Sequence, residues 1–210
     1  MDKTMTPSAE QKTVTEGQIN KAVANYRALL EKSAKEFGSG PFQLVLGQPE
    51  LADEQYEVLR RHVGMVTNLI TRRVKVNRNR TPQEVLDATG RKQHTDGGVV
   101  ARMPKGEGDE TEVVFFKLSH WVSNEDLDEK FALRGLKPAD PYSLAAVNEA
   151  DPAFTDEHPN ATHWQDRKGK WCCVTFDRLV NREVFVGYND SGLAGGWWFA
   201  GLRKRTLETK

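Results

Sequence analysis

Asp166-Arg167-Lys168-Gly169-Lys170 followed by Trp171-Cys172-Cys173-Val174-Thr175-Phe176-Asp177 is the stretch whose reading decides the fold. The first five residues are turn chemistry, with a glycine where a hairpin needs positive φ. The next seven are rich in β-branched and aromatic residues and end on Asp177. Side chains alternate along a strand, so Cys172, Val174 and Phe176 share one face, and Trp171, Cys173 and Thr175 the other. Adjacent strand residues point apart, so the two cysteines, the only ones in the chain, cannot pair with each other.

Working outward, four segments of strand character form a C-terminal β-meander at 162–166, 171–177, 183–189 and 196–203. Leu179 to Arg182 and Asp190 to Gly196 supply the other two connections, with left-handed backbone as the reason for Gly192, Gly195 and Gly196. In the last strand Trp197 and Phe199 share one face, Trp198 and Ala200 the other. At least one Trp is then buried unless both faces are covered.

Upstream the periodicity changes to helical. Residues 1–12 are polar and read as a disordered tail. Thr13-Val14-Thr15-Glu16 fits a capping box, and Ile19, Val23, Tyr26, Leu30 and Phe37 follow on one helical face. Gly38-Ser39-Gly40-Pro41 ends that helix, and Phe42, Leu44 and Leu46 alternate as a short strand. A second amphipathic helix is expected over about 53–72, with Tyr56, Leu59, Val63, Val66 and Ile70 stepping by three and four residues. Arg72 and Arg73 fall in its last turn, where cations oppose the negative end of the helix dipole. Val74 and Val76 permit a short strand after it.

Thr81-Pro82-Gln83-Glu84 is the sharpest local signal: a cap, a proline whose missing N–H costs nothing there, and a closing glutamate. The helix it starts buries Val85 and Leu86 and stops at Gly90. Asp96-Gly97-Gly98 reads as a turn and Glu112 to Leu118 as a buried strand. Ser123-Asn124-Glu125-Asp126 opens a helix that carries Leu127 and Phe131 and stops at Gly135, and Tyr142 to Val147 allows one more. The fold class is therefore α+β, with N-terminal amphipathic helices packed on a mostly antiparallel sheet. The segments are a tail (1–12), a helical segment (13–75) and an α+β segment (76–210), the last two forming one globular unit.

A chain of 210 residues can bury a core without staples. Two thiols without a distant partner point to a reducing compartment, and residues 1–10 lack the apolar run of a signal peptide. No apolar run approaches the length of a membrane span. A soluble, cytoplasmic protein is the expectation. Lys+Arg and Asp+Glu balance at 30 each, yet the charges are blockwise. Residues 71–105 carry a net +6, 106–166 a net −10 and 167–210 a net +5.

A long tract, Arg80 to Arg91, then Leu133 to Tyr142, Val147 to Phe154, Thr162-His163-Trp164 and Trp197 to Gly201, resembles an uncharacterised family of small bacterial proteins from metagenome-derived genomes. The resemblance covers about residues 79–204. It implies a bacterial origin and carries no activity, cofactor or site.

No phosphate loop, dinucleotide fingerprint or zincin motif is present, so no cofactor is implied. Three readings remain. The first is a non-catalytic binding protein for nucleic acid or another polyanion. Arg72, Arg73, Lys75, Arg78, Arg80, Arg91 and Lys92 would share a face with Arg203, Lys204 and Arg205, and Trp197 would offer a stacking platform. It requires that the acidic 106–166 block not lie between the two basic groups. The plainer alternative is that opposite blocks neutralise each other on a folded surface. The second reading is a small metal-assisted hydrolase using Asp156, His158, His163 and Asp166. The third is a helix-mediated assembly protein using the Tyr56–Ile70 stripe.

Overall fold

The computed structural model describes residues 13–178 and 182–204, and of residues 65–67 the backbone alone. The 1–12 tail, most of the Leu179–Arg182 connection and Arg205 lie outside the described residues. The chain divides into two units, Met1–Val58 and Leu59–Lys210. Helix α3 runs through that boundary.

The first unit is helical: α1 (Glu16–Ser33), a 3-10 turn (Ala34–Glu36), α2 (Ser39–Leu46) and the start of α3 (Glu50–Thr67). The box that starts α1 sits two residues later than the sequence suggests. Thr15 caps the amide of Gln18, and the Gln18 side chain accepts from Thr15 N–H. Thr15-x-x-Gln satisfies the same rule as Thr13-x-x-Glu, and the later pair wins. The strand expected at Phe42, Leu44 and Leu46 is helix α2. Pro41 falls in its first turn, where the missing N–H costs nothing, and Phe42, Val45 and Leu46 lie at helical spacing.

The second helix of the sequence reading also ends early. α3 stops at Thr67 and β1 (Leu69–Lys75) follows after one residue. Arg72 and Arg73 therefore sit on a strand, not in a helix's last turn. Ile70, Thr71 and Val74 are β-branched, and pairing with β3 (Glu110–Lys117) decides their conformation over helix propensity.

The remaining elements are α4 (Pro82–Asp87), β2 (Lys92–Thr95), α5 (Gly97–Val100), α6 (Asn124–Ala132), β4 (Leu136–Pro138), α7 (Pro141–Ala150), α8 (Pro152–Glu157), β5 (Asn160–Gln165), β6 (Trp171–Asp177), β7 (Glu183–Tyr188) and β8 (Trp198–Arg203). The box at Thr81 forms as read: Thr81 Oγ1 accepts from Glu84 N–H and Glu84 accepts from Thr81 N–H at 2.7 Å. Asp96 caps α5 rather than closing a free turn.

One mostly antiparallel sheet results, in the order β1-β3-β8-β5-β6-β7-β2, with β4 pairing the far half of β8. The hairpin at Asp166–Lys170 forms, with Gly169 at φ 75°. β5, β6 and β7 make the meander. β8 leaves it: instead of pairing β7 it inserts between β3 and β5, parallel to β5. The glycine-bearing connection makes that crossing possible. Gly192 and Gly196 have positive φ, whereas a Cβ on Gly195 would stand 2.6 Å from Ser119 O. Gly195 is thus required by close approach of two backbones, not by a left-handed turn.

Both faces of the sheet are covered. Ala200, Phe115, Val174 and Phe176 pack with Leu86, Val99, Leu144, Val147 and Phe154 of α4, α5, α7 and α8. Phe199, Phe116, Cys173 and Ala161 pack on the other side with Leu127 and Phe131 of α6. Trp198 belongs to the first layer and Trp197 to the second, and each is half-buried. The structure is α+β, and the helices that cover its sheet lie between and after the first strands.

Phe199 is fully buried against Phe116, with ring centroids 5.7 Å apart. Phe199→Ala is expected to destabilise the sheet unit by about 3–5 kcal/mol in urea titration; a loss under about 1 kcal/mol contradicts its central place. Hydrogen bonds from Thr81 hold the Glu84 carboxyl below its usual range. A lowered folded pKa means the box supports the helix above the free glutamate range and weakens as pH falls through the lowered value. Glu84→Gln, which keeps an acceptor, is expected to remove that acid dependence from α4.

Candidate functional site

The basic residues are best followed through the sheet. β1 is an edge strand, and Arg72, Arg73 and Lys75 project from it. Charges along an open edge oppose pairing with another chain. Arg73 faces Glu110 at 4.0 Å and Glu112 at 3.9 Å on β3. On the far side of β3, Arg203 of β8 reaches the same Glu112 at 3.3 Å. The acidic block thus lies between the two basic groups in the most literal sense: β3 separates β1 from β8.

The others are engaged likewise. Arg72 pairs with Asp151 at 3.6 Å and lies over the Phe154 ring. Arg80 bonds Glu149 at 2.6 Å, and Lys92 meets Glu183 at 3.4 Å. Arg78 is nearly buried, paired with Asp140 at 2.5 Å, and also donates to Gly108 O, Ser143 Oγ and Lys105 O. Arg91 is buried, donates to Asp177 O at 2.9 Å and Pro152 O at 3.2 Å, and its pKa is lowered by burial. Lys75 and Lys204 are exposed. Trp197 packs on the Phe199 side of the sheet, half-buried, rather than standing out as a platform.

The four histidine and aspartate candidates do not converge. His163 lies on β5 and His158 just before it, on opposite sides of the sheet. His158 stacks on Phe154 at 4.6 Å on the Ala200 side, while His163 packs against Phe131 on the Phe199 side. Asp156 is bound by Arg182, and Asp166 accepts the amides of Lys168 and Lys170 in its hairpin. Both carboxyls are held below the usual range, Asp156 by the Arg182 hydrogen bond and Asp166 by the Lys170 amide. Among the described residues no group of three or more His, Cys, Asp or Glu is placed to hold a metal ion.

His163 instead finds partners that sequence proximity could not suggest. Its Nδ1 is 3.0 Å from Asn124 Oδ1 and its Nε2 is 3.0 Å from Asp128 Oδ1, both on α6. Asn124 Nδ2 donates to Asn189 O, which turns Oδ1 toward the imidazole. Both ring nitrogens therefore face acceptors. The ring stacks on Trp171 at 4.8 Å, and Trp171 Nε1 donates to Glu125 Oε1 at 2.8 Å. This cluster seats α6 on the sheet.

It also forms one wall of a cleft of about 870 Å³. The cleft opens where the sheet forks: the first half of β8 pairs with β5, the second half with β4. Thr162 Oγ1 bridges the fork to Ala139 O at 2.7 Å. Its lining includes Asp128, His163, Trp171, Glu112 and Arg203, all with partners already named, and Thr111 as a hydroxyl that a nucleophile would need. The thiols lie elsewhere. Both are buried, and burial pushes Cys173 up to about 12 and raises Cys172 as well.

The helices before β1 present a different surface. α1, the 3-10 turn and α2 contain no buried residue. Ile19, Val23 and Tyr26, a stripe that the sequence reads as packed, are exposed. A groove of about 640 Å³ runs between Tyr26, Leu30, Phe37, Phe42, Leu46 and Leu51. On α3, Tyr56 is 61% exposed, Leu59 54% and Val63 51%. Ile70, the last position of the expected stripe, lies on β1 and packs against the sheet core. Asp53 and Arg60, one heptad apart, are exposed along the same border of the stripe. Outside residues 14–63, the large apolar side chains exposed among the described residues are Trp121, Leu133, Phe185 and Tyr188.

No family model, curated protein or solved structure matches the chain.

Raised thiol pKa values and burial remove nucleophilic thiolate. Cys172 and Cys173 are expected to resist iodoacetamide at neutral pH in the folded chain and to react within minutes in denaturant; equal rates in both states contradict the packing described.

Proposed function

We propose that the protein is a non-catalytic interaction protein that assembles through the apolar face of helix α3. The observation that carries the reading is the exposed stripe of Tyr56, Leu59 and Val63 on an 18-residue helix. In water, helices of this length derive most of their stability from burying such a face. Helices α4 to α8 cover both faces of the sheet, whereas Tyr56 and Leu59 on α3 are exposed. Contiguous exposed apolar surface of this kind is the mark of an interaction site.

The polyanion reading has less support. Arg72, Arg73, Arg78, Arg80, Lys92 and Arg203 face carboxylates of their own chain, and Glu112 stands between Arg73 and Arg203. The hydrolase reading lacks a convergent set of groups, since His158 and His163 lie on opposite faces of the sheet.

Sedimentation velocity over a wide concentration series tests the proposal. The wild-type chain is expected to associate, and Leu59→Glu to raise the dissociation constant by about tenfold or more, since burying a leucine is worth roughly 1.5–3 kcal/mol. A wild-type chain that sediments as a monomer throughout contradicts the proposal, as does a Leu59→Glu chain that associates equally well.

A further inference from the structure

We infer that Asn124, His163 and Asp128 form a pH-sensitive latch: the doubly protonated His163 ring holds α6 over the fork of the sheet, and loss of one ring proton releases Asp128. The latch lies within the second unit and does not depend on α3.

The reason is a count of protons. An imidazole carries one N–H when neutral and two when charged. His163 meets an oxygen at both nitrogens, Asn124 Oδ1 at Nδ1 and Asp128 Oδ1 at Nε2, each at 3.0 Å. Neither oxygen supplies a proton of its own. An ionised carboxylate only accepts. Asn124 is oriented by its amide, since Nδ2 donates to Asn189 O at 2.7 Å, and turning the group over would set two oxygens against each other. Two donations therefore need two ring protons. When one is lost, a nitrogen lone pair faces an oxygen.

The surroundings decide which contact yields. The His163 side chain has no exposed surface, and its ring stacks with Trp171 at 4.8 Å and with Phe131 at 5.9 Å. Asn124 is buried and held by Asn189 O. Asp128 is the mobile member, because half of its side chain is exposed. The neutral ring keeps its proton on Nδ1 for Asn124, and the Asp128 carboxylate turns to water. Asn124 and Asp128 are one helical turn apart, so α6 stays anchored at its start and loosens from Asp128 onward.

The other ionisable groups near the ring leave this role to Asp128. Glu125 of α6 accepts from Trp171 Nε1 at 2.8 Å. Cys173, opposite His163 on β6, has its thiol pushed up to about 12 and is neutral. Arg203 of β8 and Glu112 of β3 line the same cleft and pair with each other at 3.3 Å. Lys137 of β4 lines it too, exposed to water that screens its charge. The stability drawn from the Asp128 contact is thus present where the ring holds both protons and is lost as pH rises. Asp128 and His163 both line the cleft, so the same step changes what the cleft presents, from a closed ion pair to a free carboxylate.

NMR on the full chain across about pH 5 to 9 tests the latch, with ring nitrogen shifts reporting the protons on His163 and amide exchange reporting α6. Protection of the 127–132 amides, corrected for intrinsic exchange, is expected to fall about tenfold as His163 loses one proton, the scale of a charge-assisted hydrogen bond half open to water. Protection of β8 is expected to stay level and serves as the folding control. Asp128→Asn gives the neutral ring an amide donor at Nε2, so its α6 protection is expected to vary by less than about twofold over the same range. Wild-type α6 protection that is level while His163 loses its proton overturns the latch, as does a pH dependence that Asp128→Asn leaves intact.

Discussion

Strand β8 is buried on both faces, and the rest of the sheet unit follows from that. Phe199 faces α6 and Ala200 faces α7 and α8, each with no exposed surface. A strand so placed needs neighbours on both edges and a layer on either side. β3 supplies one edge; β5 and β4 divide the other. Gly201 has no side chain because Phe131 fills that space: a Cβ there would lie 2.9 Å from the ring. Centring the sheet on β8 also forks it between β4 and β5, and the Asn124, Asp128 and His163 cluster closes α6 over that fork.

The same topology disposes of the charge. Blocks that alternate along the chain become neighbours across β1, β3 and β8, so the most unusual compositional feature is neutralised locally. Exposed pairs such as Arg73 with Glu112 contribute little stability. Arg78 differs. Its guanidinium and Asp140 are almost enclosed, and it ties the 105–108 loop to the start of α7 through Ser143. A charge buried with its partner and several carbonyl acceptors fixes a loop that apolar packing would leave free.

How much of this was legible in the sequence depended on the range of the interaction. The Thr81 cap, the Asp166–Lys170 hairpin and the alternation of Cys172 and Cys173 are set by residues a few positions apart, and each is found as read. Phe42 to Leu46 fits either a strand or a helix, and the choice lay with the Gly38 to Pro41 start. The end of α3 was misplaced because the apolar spacing runs on through Ile70, which the strand β1 takes for its own packing. The insertion of β8, the parallel edge strand β2 and the His163 to Asp128 contact are pairings across 35 residues or more, for which no local pattern exists. The helical stripes were visible, but whether the chain itself would cover them was not a property of their spacing.

The sheet core is covered on both faces, while large apolar side chains of α1, α2 and α3 such as Val23, Leu44 and Tyr56 are exposed. The proposed assembly covers the exposed Tyr56 and Leu59 side chains of α3 only when chains associate. Amide hydrogen exchange at increasing protein concentration tests it most directly, since protection follows the opening free energy of each element. The account predicts that protection of α3 rises with concentration while that of β8 stays constant. Protection of α3 that is independent of concentration would contradict it.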